Sequence, residues 1–112
     1  MSLPQLVDRA AAVAAMLAEL HVHRNEPVLI TLPDGPGFAE SFAGAVDQQA
    51  LPLPAGPLLS ASELAAAAAA ARTRLVLASP DQLPAWSDKF DTEPAILING
   101  PHGPWIAALR LR

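Results

Sequence analysis

A chain of 112 residues with a net charge of −4 and no cysteine has the length of one domain with a single core. It carries too little positive charge for the phosphate-neutralising surface that nucleic-acid binding needs, and disulfides, thiolate nucleophiles and cysteine-held metals are excluded outright. Apolar residues make up 52% of it, many of them alanine, and its aromatics are Phe38, Phe42, Trp86, Phe90 and Trp105 alone, so the core should be assembled from Leu, Val, Ile and closely packed Ala.

The apolar residues Leu6, Ala10, Val13, Leu17 and Leu20 recur at offsets of three and four, which predicts a helix from Leu3 to Leu20. Ser2 is its expected N-cap, with Pro4 in the first turn. Asp8, Arg9 and Glu19 interrupt this segment and no basic residue precedes it, so no secretory leader is expected. No run reaches the roughly 18 apolar residues that crossing a bilayer takes. The chain therefore reads as cytoplasmic, with no membrane and no nucleic-acid partner.

After a polar connection from His21 to Glu26, the run Pro27 to Leu32 predicts a short strand covered on both faces, as in a parallel sheet. Pro33-Asp34-Gly35-Pro36-Gly37 is a dense turn. Phe38, Phe42, Ala45 and Val46 then return at helical spacing, which predicts a second helix over Pro36 to Gln48. A second strand is expected over Ala50 to Leu53, ended by Pro52, Pro54 and Pro57. Ser60 followed by Glu63 is a capping-box pattern, opening a third helix from Ala61 to Arg72. Its alanine run, Ala65 to Ala71, favours helix and has no bulk, which predicts close packing of helix on sheet; a low-complexity linker is the rival reading.

Arg74 to Ala78 reads as a third strand, Pro80 to Trp86 as a short helical turn, Asp88 to Pro94 as a loop and Ala95 to Asn99 as a fourth strand. Helical segments joining short buried strands call for right-handed crossovers. The predicted fold class is thus α/β, one three-layer domain over residues 1–112, with a mainly parallel sheet of about four or five strands flanked by helices. The tail Trp105 to Arg112 alternates loosely, and residues 101–112 read equally as an edge strand, a helical end or an arm onto a partner.

Candidate sites are sparse. Gly35-Pro36-Gly37 before a helix resembles an anion cradle, but Asp34 brings its own carboxylate and no Walker lysine follows, so a capped turn is expected instead. His21 and His23 lack a third ligand at a recognisable spacing and read as solvent-exposed; His102 is a lone histidine in a turn. Asp88, Asp91 and Glu93 around Lys89 and Phe90 lack the turn glycine of a calcium loop and read as solvated. No serine lies in a Gly-x-Ser-x-Gly elbow. Trp86 and Trp105 are expected to fill a core edge, with an interface anchor as the alternative.

The order of elements, together with A-M-L-A-E-L-H-V (Ala15 to Val22), E-P-V-L-I-T-L-P-D-G-P-G-F (Glu26 to Phe38), A-L-P-L-P-A-G-P-L-L-S-A-S-E-L (Ala50 to Leu64) and T-R-L-V-L-A-S (Thr73 to Ser79), resembles the opening of the adenylate-forming enzymes: acyl-CoA synthetases, fatty acyl-AMP ligases and nonribosomal adenylation domains. The likeness covers Leu3 to Ser79. The sequence departs from it where the family's Gly-Val is His21-Val22, its Gly-Asp is Asn25-Glu26, its Asn after Leu-Pro is Asp34 and its Gly before the second strand is Gln49. The resemblance implies ATP and magnesium for a complete family enzyme. The family's Ser/Thr/Gly-rich phosphate loop, its ribose-binding Asp and its catalytic lysine have no counterpart in this chain, whose single lysine is Lys89. No catalytic, cofactor-binding or metal-binding residue is therefore assigned, and no cofactor is expected to bind this chain alone. The implied partner is the remainder of a ligase; a stand-alone remnant that binds another protein or itself through a bare sheet edge, and a small-molecule module at the strand carboxyl ends, are the alternatives.

Overall fold

The computed structural model describes residues 2–73, 75–79, 82, 95–99 and 105–110. Along the chain it runs α1 (Leu3–Glu19), β1 (Pro27–Ile30), α2 (Pro36–Asp47), β2 (Leu51–Pro54), α3 (Ala61–Ala71), β3 (Leu75–Ala78), β4 (Ala95–Asn99) and β5 (Trp105–Arg110). The strands form one sheet in the order β2-β1-β3-β4-β5. The β1, β2, β3 and β4 strands are mutually parallel where they pair, and β5 joins β4 antiparallel at the edge. The α/β class and the mainly parallel sheet are as the sequence predicts.

Three layers follow from the alternation of side chains along β1 and β3. Val28 and Ile30 of β1 and Leu75 and Leu77 of β3 point to one face, where they pack with Val13 and Leu17 of α1 and Ala45 of α2. Leu29, Val76 and Ala78 point to the other, where Leu64 and Ala68 of α3 cover them. A strand buried on both sides has no need of polar alternation, which is why these runs are continuously apolar. Moving from β1 to β2 and from β2 to β3 reverses direction along the sheet, and connections of one hand then place α2 and α3 on opposite faces.

Helix boundaries are written in local chemistry. At the start of α1 the Ser2 hydroxyl accepts from the Gln5 amide while the Gln5 side chain accepts from the Ser2 amide, and Ser60 and Glu63 do the same for α3. The three α-helices of the described residues end alike. Val22 N–H donates to Leu17 O and His21 N–H to Ala18 O; Ala50 to Ala45 and Gln49 to Val46; Thr73 to Ala68 and Arg72 to Ala69. This is the Schellman pattern, which needs a left-handed residue just past the helix. His21, Gln49 and Arg72 fill that position with φ of 58°, 64° and 55°, where glycine would be unstrained.

Two differences from the sequence reading have physical causes. The strand expected to reach Leu32 ends at Ile30, because the Thr31 carbonyl is taken by a side chain, Gln82 Nε2 at 2.8 Å, and Pro33 follows. Pro52 and Pro54, expected to terminate the second strand, lie within β2. Leu51 N–H donates to Glu26 O and Ala55 N–H to Ile30 O, so odd-numbered amides face β1 and the two proline nitrogens face the open edge, where no donor is required. Ala50, expected in that strand, instead closes α2. The start of the expected third strand, Arg74, and nearly all of the expected helical turn Pro80 to Trp86 and loop Asp88 to Pro94 lie outside the described residues.

Candidate functional site

Ligands of open α/β sheets gather beyond the carboxyl ends of the parallel strands, and the polar residues of this chain are arranged there around Gln82. Its Oε1 accepts from the Ser79 amide at 2.9 Å, and the hydroxyls of Ser79 and Thr31 both stand 3.3 Å from it. Its Nε2 donates to Thr31 O at 2.8 Å and to Pro57 O at 3.1 Å. The orientation of the amide is forced, because an N–H needs an acceptor on one side and two carbonyls need donors on the other. The end of β1, the loop after β2 and the end of β3 are thereby joined through one side chain. At the opposite, amino end of the sheet the buried Thr73 hydroxyl joins the same two central strands, donating to Pro27 O at 2.5 Å and accepting from Leu75 N at 3.1 Å.

The β1–α2 turn has a different character from the one expected. Gly35 is the N-cap of α2, with φ 148°, and no side chain caps that helix; the carboxylate of Asp34 does not supply the cap. Pro36 at the first position removes one of the amides an anion would use. A shallow depression of about 370 Å³ lies between this turn and the start of α1, lined by Ser2, Leu3, Leu6, Gly35, Pro36 and Ala39. None of these side chains titrates, so the depression offers shape without acid–base or nucleophilic chemistry.

The buried charge of the described chain lies elsewhere, between helices. Glu40 of α2 is 2% exposed and receives Arg9 of α1 in a fork, Nε to Oε2 at 2.8 Å and Nη2 to Oε1 at 3.2 Å. One turn further along, Gly44 permits α1 and α2 to touch. The pair therefore ties α1 to α2.

His21 and His23 are both exposed. Glu26 Oε1 accepts from the His23 amide at 2.9 Å, closing the turn between them and β1. Among the described residues no group of three His, Asp or Glu side chains is placed to hold a metal. Trp86, Asp88, Lys89, Phe90, Asp91, Glu93 and His102 lie outside the described residues. Trp105 begins β5. The Gln82 junction escaped the sequence reading: its partners stand 51 and 25 residues away, and a lone glutamine after a strand carries no motif.

The comparisons with known proteins bear on the whole fold. The family model described as AMP-binding enzyme matches residues 1–103. Among solved structures, the chain is similar to a benzoate CoA ligase from Burkholderia xenovorans LB400, with TM-score 0.81 and 21% identity over 99% of this chain and 24% of that one. It is similar to the anthranilate CoA ligase AuaEII in complex with anthranoyl-AMP, with TM-score 0.72 and 25% identity over 79% of this chain and 17% of that one. It is also similar to the fatty acid AMP ligase from Legionella pneumophila, with TM-score 0.67 and 23% identity over 75% and 15%. The chain thus spans a quarter or less of the length of these structures. No curated protein matches the sequence.

Proposed function

Because the chain belongs to the AMP-binding enzyme family, whose model matches residues 1–103, we propose that it supplies the N-terminal part of a cytoplasmic adenylate-forming ligase, one that activates a carboxylic acid with ATP. In this reading it acts only together with the rest of that enzyme, as a split subunit or as a piece of one polypeptide. The observation that carries it is the family match over residues 1–103; the fold agrees, since 99% of the chain aligns with 24% of an acyl-CoA ligase at TM-score 0.81, a part of a larger machine.

The residues described here do not fit ATP. Phosphates need converging amides or cations; the β1–α2 turn offers a proline and a carboxylate, and the strand-end crevice holds a glutamine amide facing two carbonyl oxygens. In this reading ATP and magnesium are seated by the remainder of the enzyme. Its contribution is a scaffold with surface to spare: Phe42 and Val46 of α2 and Leu51 of β2 are 39%, 54% and 47% exposed, apolar area of the kind that a further domain covers. No helix among the described residues is long and apolar enough to cross a membrane.

The test has two arms. Titration calorimetry with Mg-ATP should show no sub-millimolar binding to the chain alone, and ATP–pyrophosphate exchange with benzoate, anthranilate or a fatty acid should be absent. Exchange should appear when the polypeptide supplying the rest of the ligase is added in trans or fused. Nucleotide binding or exchange by the chain alone would sink the reading, as would a complemented mixture that neither associates nor turns over.

A further inference from the structure

Between β1 and β3 the strand order turns back: β1 leads through α2 to β2 on one side, and β3 is laid down on the other. At such a switch point neighbouring loops part and leave a crevice beyond the strand ends, the usual seat of a ligand in this architecture. In this chain the crevice is spanned from within. We infer that Gln82 is a clasp that closes the switch-point crevice with the protein's own carboxamide, so that the strand ends open only when Gln82 lets go.

Gln82 is half-buried, and every polar atom of its carboxamide is engaged. Both amide protons of Gln82 are spent on main-chain carbonyls, at Thr31 and Pro57. Its oxygen is spent on the Ser79 amide, within reach of two hydroxyls. Its own amide donates to Ser79 O at 3.1 Å, which fixes the base of the side chain. Three segments distant in sequence are held by one planar group. The ladder between β1 and β3 is short, pairing Leu29 with Val76 and Ile30 with Leu77, and the Thr31 amide extends it by a single bond to Leu77 O at 3.0 Å. A clasp at this point therefore governs the last bonds of a ladder with few to lose. The inference stands apart from the proposed ligase role, since it concerns only contacts inside this chain.

Hydrogen exchange on the full chain tests it, comparing wild type with Gln82→Ala and Gln82→Met, the latter filling the volume without donating. The amides of Thr31 and Ala55 report the carboxyl ends of β1 and β2; that of Leu51, which donates to Glu26 O, reports the amino end. Both variants should speed exchange at Thr31 and Ala55 by about tenfold and leave Leu51 unchanged. Wild-type protection in Gln82→Met would overturn the clasp, because volume alone would then suffice. Equal acceleration at Leu51 and Ala55 would overturn it too, as would loss of folding in both variants, since Gln82 would then be a general support and not a local fastening.

Discussion

Gly44 of α2 lies against Val13 of α1 with no room for a side chain: a Cβ built on Gly44 would stand 2.5 Å from Val13 Cβ, 2.6 Å from Val13 Cγ1 and 2.8 Å from Ala10 O. Helix packing at this distance is set by the absence of one carbon. Because two of the three obstacles are a Cβ and a main-chain oxygen, the neighbours cannot rotate away. Gly44→Ala should therefore lower stability by about 1–3 kcal/mol in urea denaturation, despite alanine's better helix propensity. Val13→Ala, which removes Cγ1 and leaves Cβ, should fail to rescue it in the double variant. A neutral or stabilising Gly44→Ala would show that α1 and α2 slide apart freely.

The left-handed residues closing the helices give a prediction of opposite sign. His21 and Gln49 each hold φ near 60° with a side chain attached, a conformation costing about 1–2 kcal/mol for most residues. Replacement by glycine gives part of that back to entropy in the unfolded chain. His21→Gly and Gln49→Gly should each gain about 1 kcal/mol, raising Tm by roughly 4 °C. Asn25→Gly, at φ 63°, should gain less, since asparagine tolerates this region.

Arg9 and Glu40 form a fork whose two halves differ in exposure, 28% for the Arg9 side chain and 3% for that of Glu40. Removing the cation takes both bonds of the fork from a buried carboxylate, so Arg9→Ala should cost about 2 kcal/mol, less than a fully buried pair because water reaches the guanidinium. The double variant Arg9→Met with Glu40→Leu should recover most of the loss, since two apolar residues leave no charge to strand. A double variant as unstable as Arg9→Ala alone would contradict this.

Acid should loosen the start of α3. Hydrogen bonds from the Ser60 backbone and side chain hold the Glu63 carboxyl below its ordinary value of 4.5. A depressed carboxylate stabilises the folded chain fully above its unfolded pKa and loses that contribution as pH falls through the lower, folded value. The amide of Ser60 should thus lose protection below pH 4.5, and Glu63→Gln should flatten that part of the pH profile. An unchanged profile in Glu63→Gln would place the acid sensitivity elsewhere.

Several of these features were legible in the sequence and others could not have been. Ser60 and Glu63 sit three apart, so the box that starts α3 is local and visible; the run Leu75 to Ala78 announces a strand buried on both faces because it never alternates. The helix ends expected at Leu20 and Gln48 are the observed C-caps, but the left-handed form of the turns at His21 and Gln49 was hidden because the residue that usually marks it, glycine, is missing. Pro52 and Pro54 were misread because a sequence does not say which side of a ladder a nitrogen faces. Arg9 and Glu40, 31 residues apart, and Gln82 with Thr31, 51 apart, meet only through the fold. What function the sequence did suggest came from the order of its phrases, which is a property of ancestry and not of any reactive group.

The prolines of β2 have a consequence for how this sheet can be added to. An incoming strand laid along β2 would find carbonyl oxygens at Pro52 and Pro54 and no N–H to accept from at either. The sheet accordingly has a sealed margin at β2 and, at β5, one free of such a lock within Trp105–Arg110. A polypeptide that meets the β2 margin finds acceptors without donors at Pro52 and Pro54, so side chains laid over it must supply most of the contact.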